Sequence, residues 1–525
     1  MDEDGLHRAR PAPAAGVGAG IRAAWWAIAG SFAAFVIAWP WVGGLVAMND
    51  DLKFVRIIGR DGLWDRIAHA WTTLPTFRPV EYAVGWTCDP WSLSPGAVPW
   101  VQAAGVLAYC ASVGCIARVA WPARPSAAPI AVALAMLSPA ASVSAWQADT
   151  CSQTWTAALG LWSSLLAWRA VAQGRGRVPS TAPMTALVVA LAIGVLAKEN
   201  MYGWGLGIAL ACAATSVASV ASARDRSWRA AWVALPCIAV PAAHAAMRWT
   251  TGGLGSVSTD GDVGRYSVEL GTNLLVNVAM SAGALLGNGP FHLLTDDAAH
   301  AALRVLPFVA VLAALMVIGV AAAFAWINRG AEGAPRLRDG WGRVLLLLLV
   351  AAMSLAPTLP MGQVGELYGM GANAATAVLV AGCACALWSP AARDEVAIGR
   401  GVAVLGLSAL MAIGTLGLAG RAGHFRATWA VARTLNDRIA TRARDADAAG
   451  RDLVVYFGAP CLNGRTYGQY VCPAVQAVDV AESSKWLDAA TPRARVLLTS
   501  EVPPAQPGPD DLVLDCLDLP ARPSY

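Results

Sequence analysis

Apolar stretches close to the thickness of a lipid bilayer recur along most of this chain, and they constrain its fold more than any other feature. A helix needs about 20 apolar residues to cross the hydrocarbon core. Only 14% of the residues are charged, which is too few to cover several water-soluble domains. The chain is therefore predicted to be an all-α polytopic membrane protein. The apolar stretches are residues 24–47, 97–118, 126–145, 151–171, 183–197, 202–221, 230–247, 303–327, 343–359, 370–388 and 401–420.

Short arginine clusters between these stretches indicate the direction of each crossing. Such clusters face the cytoplasm, so consecutive clusters must be separated by an even number of crossings. This rule divides the apolar stretch between Arg177 and Arg224 into two short spans hinged at "KEN", residues 198–200. It also makes residues 272–286 a periplasmic or re-entrant helix. The result is about eleven spans, with a cytoplasmic N-terminus and an external C-terminus.

The same topology places the main polar parts of the chain on the outer face. They are a first loop at residues 49–96 with interfacial amphipathic helices, a second loop at 248–301, and the tail. The tail contains a polar helix around residues 424–448, followed by the β-like runs "DLVVYFG", "ARVLLTSE" and "DLVLDC". These features predict a transmembrane domain at residues 1–420 and a small periplasmic α/β domain at 421–525.

Charge and cysteine content exclude some classes of partner. The basic residues that produce the net charge of +4 lie in short clusters, so a nucleic-acid partner is not predicted. Cys383 and Cys385 form CxC without a nearby histidine cluster, which does not indicate a zinc or haem site. Cys461 and Cys472 are a candidate disulfide if the tail lies in an oxidising compartment.

Charged residues in the first external loop are candidate site residues. Asp50 and Asp51 directly follow the first apolar stretch. They either cap the next helix, or one of them acts as a general base, or the pair helps to bind a divalent cation such as Mg²⁺ or Mn²⁺. The element "FRPVEY" adds Arg78 and Glu81. The planar guanidinium of Arg78 suits a phosphate ester, although an arginine at this depth also snorkels to the surface.

Two later elements place further charges on the same predicted face. Lys198 and Glu199 lie between two short spans, where charges are costly and usually have a partner or a function. The stretch "GQVGELYGMGAN" places Glu366 and Tyr368 at the start of another span. A carboxylate there also stabilises a helix N-terminus, so capping competes with a functional role.

The order of these elements resembles that of the multispan GT-C glycosyltransferase superfamily. The elements are the acidic pair after the first span, "FRPVEY", "LAKEN" and "GELYG". They look most like the branch that contains transmembrane O-mannosyltransferases and their bacterial relatives, where acidic, YRP-like, KE and ERY-like elements recur in this order. The resemblance covers residues from about 24 to 420 and does not extend to the tail.

This resemblance implies an enzyme of the bacterial inner membrane that transfers a sugar from a polyprenyl-phosphate carrier to an acceptor on the periplasmic face, with inversion. The acceptor class is a glycan, a lipid or a protein. Asp51 or Asp50 would be the base, and Lys198 and Arg78 would lie beside the lipid phosphate. The sugar or acceptor pocket would be shaped by Glu81, Glu199, Glu366 and Tyr368.

Two other functions remain as hypotheses. In "GELYG", Leu367 stands where the ERY-like element has an arginine, which raises the hypothesis of a non-catalytic scaffold with the same fold. A transporter or flippase of lipid-linked saccharides is the other hypothesis. It predicts polar or broken helices at the bilayer midplane and inverted repeats. The charges of this chain instead cluster at one predicted face, which favours the enzyme.

Overall fold

The computed structural model is mostly helical. It describes residues 64, 68, 78–81, 83–84, 100–146, 151–217, 223–250, 271–272, 274–275, 277–278, 306–327, 337–357, 359, 369–388, 395–457, 496–499 and 506–514. Its helices are α1 (Trp100–Ala120), α2 (Ala127–Met136), α3 (Pro139–Trp146), α4 (Cys151–Gln173), α5 (Thr181–Ala197), α6 (Asn200–Val217), α7 (Ala223–Thr250), α8 (Leu306–Ile327), α9 (Leu337–Leu355), α10 (Met370–Trp388) and α11 (Glu395–Ala448). Its strands are β1 (Leu453–Phe457), β2 (Val496–Thr499) and β3 (Asp511–Leu514).

Several of these helices are long and apolar enough to cross a bilayer. Within the described part of the chain there are five such segments: Val101–Ala120, Arg224–Thr250, Phe308–Ile327, Met370–Trp388 and Ala397–Ala419. Shorter apolar helices cover Ala127–Met136, Thr181–Ala197 and Gly342–Leu355. The protein is therefore a multipass membrane protein, as the apolar stretches predict.

Helix α10 lies at the centre of the bundle. Its membrane-length segment is 94% buried, whereas those of α7 and α8 are only 28% buried and expose apolar side chains along one side. Two aromatic side chains of the α1 region fasten α10 through its backbone: Tyr109 donates to the Met370 carbonyl at 2.9 Å, and Trp121 Nε1 donates to the Val378 carbonyl at 2.9 Å. Because the sequence of α10 is rich in alanine and glycine, neighbouring helices approach it closely.

Glycines on α6 allow it to pack between two other helices. An added Cβ at Gly203 would collide with the Met353 carbonyl oxygen and lie 2.8 Å from Ser354 Cα, both on α9. A Cβ at Gly207 would lie 2.7 Å from Val350 Cα on the same helix, whereas Gly205 faces the α7 backbone at Cys237. Alternate glycines thus bring α6 against α9 on one side and α7 on the other.

The predicted break at "KEN" is confirmed. Helix α5 ends at Ala197, Lys198 is extended with φ −162° and ψ 144°, and α6 begins at Asn200. Lys198 thus follows the C-terminus of α5, and Glu199 precedes the N-terminus of α6. Each charge opposes the partial charge of the adjacent helix end, which stabilises both residues at this position.

The prediction of one continuous span at residues 126–145 is wrong. The structure has two helices there, α2 and α3, separated at Leu137 and Ser138. Pro139 has no backbone N–H to continue α2 and is favourable as the first residue of a new helix. The Ser138 hydroxyl accepts a hydrogen bond from the Ala141 N–H at 3.3 Å and caps α3.

The predicted final span and the predicted polar helix of the tail form one helix. Helix α11 runs for 54 residues from Glu395 to Ala448, so residues 421–423 do not interrupt it. It leads into the predicted β-like runs, which are parallel strands in the order β2-β1-β3. In the register, Val455 on the central strand pairs with Leu498 on one side and Leu512 on the other.

Candidate functional site

Arg78 connects the first predicted loop to the break between α5 and α6. Its Nε donates to Glu199 Oε1 at 2.7 Å, and its Nη2 is paired with Glu199 Oε2. This is the two-pronged geometry that makes arginine–carboxylate pairs strong and specific. Pro79 follows Arg78 and disfavours a helical backbone at that residue, consistent with helix beginning only at residue 79.

Glu81 is paired with two cations, Arg78 and Lys198. Arg78 Nη1 donates to Glu81 Oε2 at 2.9 Å, and Lys198 Nζ donates to Glu81 Oε1 at 2.9 Å. The Ser152 hydroxyl, at the start of α4, donates to the same Oε1 at 3.2 Å. The carboxylate of Glu81 is therefore held from three directions by three separate parts of the chain.

Arg248 completes this group from the end of α7. Its Nη1 is paired with Glu199 Oε1, and its side chain is only 7% exposed. We call Arg78, Glu81, Lys198, Glu199 and Arg248 the ionic cluster. The structure thus brings together the candidate residues of "FRPVEY" and "LAKEN".

Sequence reasoning did not single out Arg248. The apolar stretch was assigned to residues 230–247, so Arg248 became the first residue of the second loop, whereas α7 continues to Thr250. The available signal was an arginine directly at the predicted external end of a span. The positive-inside rule disfavours a cation there unless it has a partner.

The ionic cluster has more cations than carboxylates. It contains three cations, Arg78, Lys198 and Arg248, and two carboxylates, Glu81 and Glu199. All five side chains are at most 23% exposed. A positive charge held in a partly buried site attracts anions more strongly than the same charge in water.

Both carboxylates of the cluster are stabilised in their ionised form. Burial alone would raise the pKa of Glu81, but the charges of Arg78 and Lys198 outweigh burial and lower this pKa to about 2. Burial likewise opposes ionisation of Glu199, yet Arg78 and then Arg248 hold its pKa below the usual range. Neither group is a good proton donor or acceptor near neutral pH, so both organise the cations.

The pKa of Glu81 leads to a testable pH dependence of stability. Because its pKa in the folded protein is below the ordinary value of 4.5, ionised Glu81 stabilises the folded state above pH 4.5, and this contribution is lost as the pH falls towards about 2. The contribution is on the order of 3 kcal/mol. Thermal unfolding of the parent protein and of Glu81→Gln should therefore differ by a constant amount from about pH 5 to about pH 8. The difference should shrink below pH 4.5. A difference that changes near neutral pH would show that Glu81 titrates there.

Other polar groups lie at the same end of the bundle. The Tyr202 hydroxyl is 2.6 Å from His244 Nδ1, one helical turn before Arg248 on α7. Asn200 Nδ2 donates to Gln153 Oε1 at 3.4 Å, next to Ser152 on α4. Their burial extends the polar environment of the ionic cluster into the bundle.

The remaining predicted site residues lie outside the described residues. They are Asp50, Asp51, Glu366, Tyr368 and the candidate disulfide pair Cys461 and Cys472. No group of three histidine, cysteine or acidic residues that could hold a metal ion occurs in the described ranges. The ionic cluster does not suit Mg²⁺ or Mn²⁺ either, because each of its carboxylates already binds two cationic side chains.

Comparison with known proteins gives matches among solved structures. No family profile and no curated protein sequence matches the chain. An Archaeoglobus fulgidus oligosaccharyltransferase tethered to an acceptor peptide is matched with a TM-score of 0.48 and 13% identity, over 90% of this chain and 64% of that one. The archaeal oligosaccharyltransferase AglB from Archaeoglobus fulgidus, in complex with an inhibitory peptide and a dolichol-phosphate, is matched with a TM-score of 0.48 and 12% identity. This match covers 92% of this chain and 64% of that one.

A third match is ArnT from Cupriavidus metallidurans bound to undecaprenyl phosphate, with a TM-score of 0.45 and 12% identity over 90% of both chains. The chain thus spans 64% of the length of the archaeal enzyme. All three matches share only 12–13% sequence identity with this chain. With TM-scores below 0.5, they leave the substrates and site of this chain to be argued from its own residues.

Proposed function

We propose that this protein is a GT-C-type glycosyltransferase that transfers a sugar from a polyprenyl-phosphate carrier to an acceptor on the periplasmic face of a bacterial inner membrane. The observation that carries the proposal is the ionic cluster. It joins two of the four sequence elements that resemble the family, and it gathers three cations in a partly buried site at one end of the helical bundle. A lipid-linked phosphate has the charge and the membrane location to bind there.

The cluster gives its cations different tasks in this reaction. Nε, Nη1 and Nη2 of Arg78 each already donate to a carboxylate, so Arg78 contributes charge and holds the two glutamates in place. Lys198 carries the compact ammonium that suits a phosphate as a point charge. Fixed cations of this kind stabilise the negative charge that develops on a departing phosphate.

The base must lie elsewhere, since Glu81 and Glu199 are held in ionised pairs. Asp51 or Asp50 is the proposed base, with a divalent cation at this acidic pair as an alternative role. The base accepts the proton of an acceptor hydroxyl, the acceptor oxygen attacks the anomeric carbon, and the carbon–oxygen bond to the phosphate breaks. Its electron pair leaves on the phosphate, and the anomeric carbon is inverted. Glu366 and Tyr368 are proposed to line the sugar or acceptor pocket.

The proposed membrane arrangement has about eleven spans, a cytoplasmic N-terminus and a periplasmic α/β domain. Support comes from the contacts and charges at the two ends of α4. Ser152 contacts the ionic cluster, whereas Arg169 lies 17 residues later, or about 25 Å along a helix axis. This separation approaches the thickness of the hydrocarbon core, so the ionic cluster and Arg169 fit opposite membrane faces.

The function is tested by transfer of a labelled sugar. Purified protein in liposomes is supplied with polyprenyl-phosphate-linked sugars and a panel of glycan, lipid and protein acceptors. We expect Asp51→Asn or Asp50→Asn to reduce turnover by about 100-fold or more, as removal of a general base does. Lys198→Gln should also reduce turnover because it removes the ammonium proposed to bind the lipid phosphate.

Asp225→Asn is a matched control for this experiment. Asp225 is about half exposed and pairs with Arg177 far from the ionic cluster, so its loss should leave transfer unchanged. Unchanged turnover in both aspartate variants and in their double variant would contradict the assignment of the base. Binding or translocation of the lipid without sugar transfer would instead support the scaffold or flippase hypotheses.

A further inference from the structure

Three arginines from three helices lie together at the end of the bundle opposite the ionic cluster. They are Arg118 in the last turn of α1, Arg169 on α4 and Arg343 on α9. Helices α1 and α4 run side by side, because Trp162 Nε1 on α4 donates to the Ala108 carbonyl on α1 at 3.2 Å. Seven residues farther along each helix lie Arg169 and Cys115, and Arg118 is one turn beyond Cys115. Arg343 Nη1 donates to the Val119 carbonyl at 2.6 Å. We call Arg118, Arg169 and Arg343 the arginine group.

One edge of the arginine group is partly exposed and has a defined geometry. The guanidinium carbon of Arg343 lies 5.4 Å from the centre of the Trp168 ring, in cation–π geometry. Trp168 is 38% exposed and Arg169, next to it, is also exposed. A partly exposed tryptophan beside cations is typical of the depth at which lipid headgroups lie.

Arg118 has hydrogen-bond donors that the surrounding protein does not satisfy. Its Nε and Nη1 are shielded from solvent and have no acceptor among the described residues. Nor does any described carboxylate lie within salt-bridge distance of Arg118, Arg169 or Arg343. Shielded N–H groups without an acceptor are costly, so Arg118 would be stabilised by turning these donors towards a ligand that supplies oxygen atoms.

We propose that the arginine group binds the phosphate of an anionic phospholipid headgroup. Three guanidinium groups offer several N–H donors to phosphate oxygens, and the partly exposed Trp168 ring offers an apolar surface to the acyl chains. Arginines that only mark the cytoplasmic side of a membrane protein extend into water and need no bound anion. The unsatisfied donors of Arg118 and the fixed position of Arg343 distinguish this group from such arginines.

The proposal does not depend on the proposed transferase activity, because the two sites are about 25 Å apart along α4 and its test measures lipid binding. The purified full chain, in a neutral detergent, is titrated with dioctanoyl-phosphatidylglycerol, dioctanoyl-phosphatidylcholine or inorganic phosphate. Bound lipid is measured by native mass spectrometry. We expect phosphatidylglycerol to bind more tightly than phosphatidylcholine, and inorganic phosphate not to displace it.

Arg118→Gln is the informative variant. Nε and Nη1 of Arg118 donate to no described protein group, so the substitution breaks no described hydrogen bond made by these two nitrogens. We expect it to weaken phosphatidylglycerol binding by about fivefold or more. Arg177→Gln is the matched control. This variant also removes one arginine, but that arginine is exposed and paired with Asp225. Phosphatidylglycerol binding should therefore stay within about twofold of that of the parent protein.

Three outcomes would overturn the proposal. Equal losses in Arg118→Gln and Arg177→Gln, or no loss in either, would show only general attraction to surface charge. Equal binding of phosphatidylcholine would show an apolar groove. Displacement by inorganic phosphate at the same concentration would show a free-anion site. If Arg118→Gln unfolds, Arg118→Lys keeps the charge but not the guanidinium geometry, and it should still weaken binding.

Discussion

Glu199→Ala is expected to destabilise the protein by about 3–5 kcal/mol and to abolish the proposed sugar transfer. Glu199 pairs with both Arg78 and Arg248, and Arg248 is only 7% exposed. Removal of the shared carboxylate leaves two partly buried cations close together without their common partner, and uncompensated buried charges carry costs of this size. Thermal unfolding in detergent, followed by tryptophan fluorescence, measures the stability.

An exposed ion pair of the same chain is the control for this prediction. Asp225→Ala removes the carboxylate of the Arg177–Asp225 pair, whose side chains are about half exposed. Such pairs contribute about 0–1 kcal/mol, so this variant should unfold close to the parent protein. Addition of Arg248→Met to Glu199→Ala should recover part of the lost stability, because one of the uncompensated cations is then absent. Similar unfolding of Glu199→Ala and Asp225→Ala would show that the ionic cluster does not stabilise the fold.

Gly203→Ala is expected to destabilise the protein by an amount at the upper end of about 1–3 kcal/mol. The new methyl group would collide with the Met353 carbonyl oxygen and lie 2.8 Å from Ser354 Cα. Both are backbone atoms of α9, so no side chain can rotate away and α6 must move. Since Glu199 immediately precedes α6, the variant should also impair sugar transfer.

Gly319→Ala is the matched control for this variant. Gly319 lies within α8, and a Cβ there would have no neighbouring atom within 4 Å. Alanine is also the better helix former by about 1 kcal/mol, so this variant should be as stable as the parent or slightly more stable. If Gly203→Ala unfolds at the same temperature as Gly319→Ala, α6 and α9 do not pack as closely as the structure shows.

The sequence alone was sufficient to predict the helices of membrane-spanning length and the position of one important break. A span must be apolar over a known length, so α8 and α10 appear directly as apolar stretches. An even number of crossings must separate Arg177 from Arg224, so the long apolar run between them is divided, and the charges of Lys198 and Glu199 mark the position of the break. These predictions depend on local composition, and local composition is what a single sequence reports.

The contacts of the ionic cluster could not be predicted in the same way. Arg78 and Glu199 are separated by 121 positions, and nothing local to either residue identifies the other as its partner. Placing both on one membrane face narrows the choice of partners but does not specify a hydrogen bond. Arg248 illustrates the same limit, because its role depends on α7 extending a few residues beyond its apolar segment.

Helix ends and continuity were the other weak point. The window at residues 126–145 is apolar throughout, so hydropathy did not reveal that Pro139 starts a new helix. Conversely, the change from apolar to polar residues near position 420 suggested a boundary between helices. The backbone of α11 continues because a helix does not need to end where its surroundings change from lipid to water.

The length of α11 has a mechanical consequence. At 1.5 Å per residue, its 54 residues extend for about 80 Å, more than twice the thickness of a hydrocarbon core. The strands that follow it are therefore attached to the membrane part by a stiff rod and not by a flexible linker. Any tilt or rotation of the membrane-embedded half is transmitted to the sheet at the far end. Insertion of one residue into the rod would turn the sheet by about 100° around the helix axis and raise it by only about 1.5 Å.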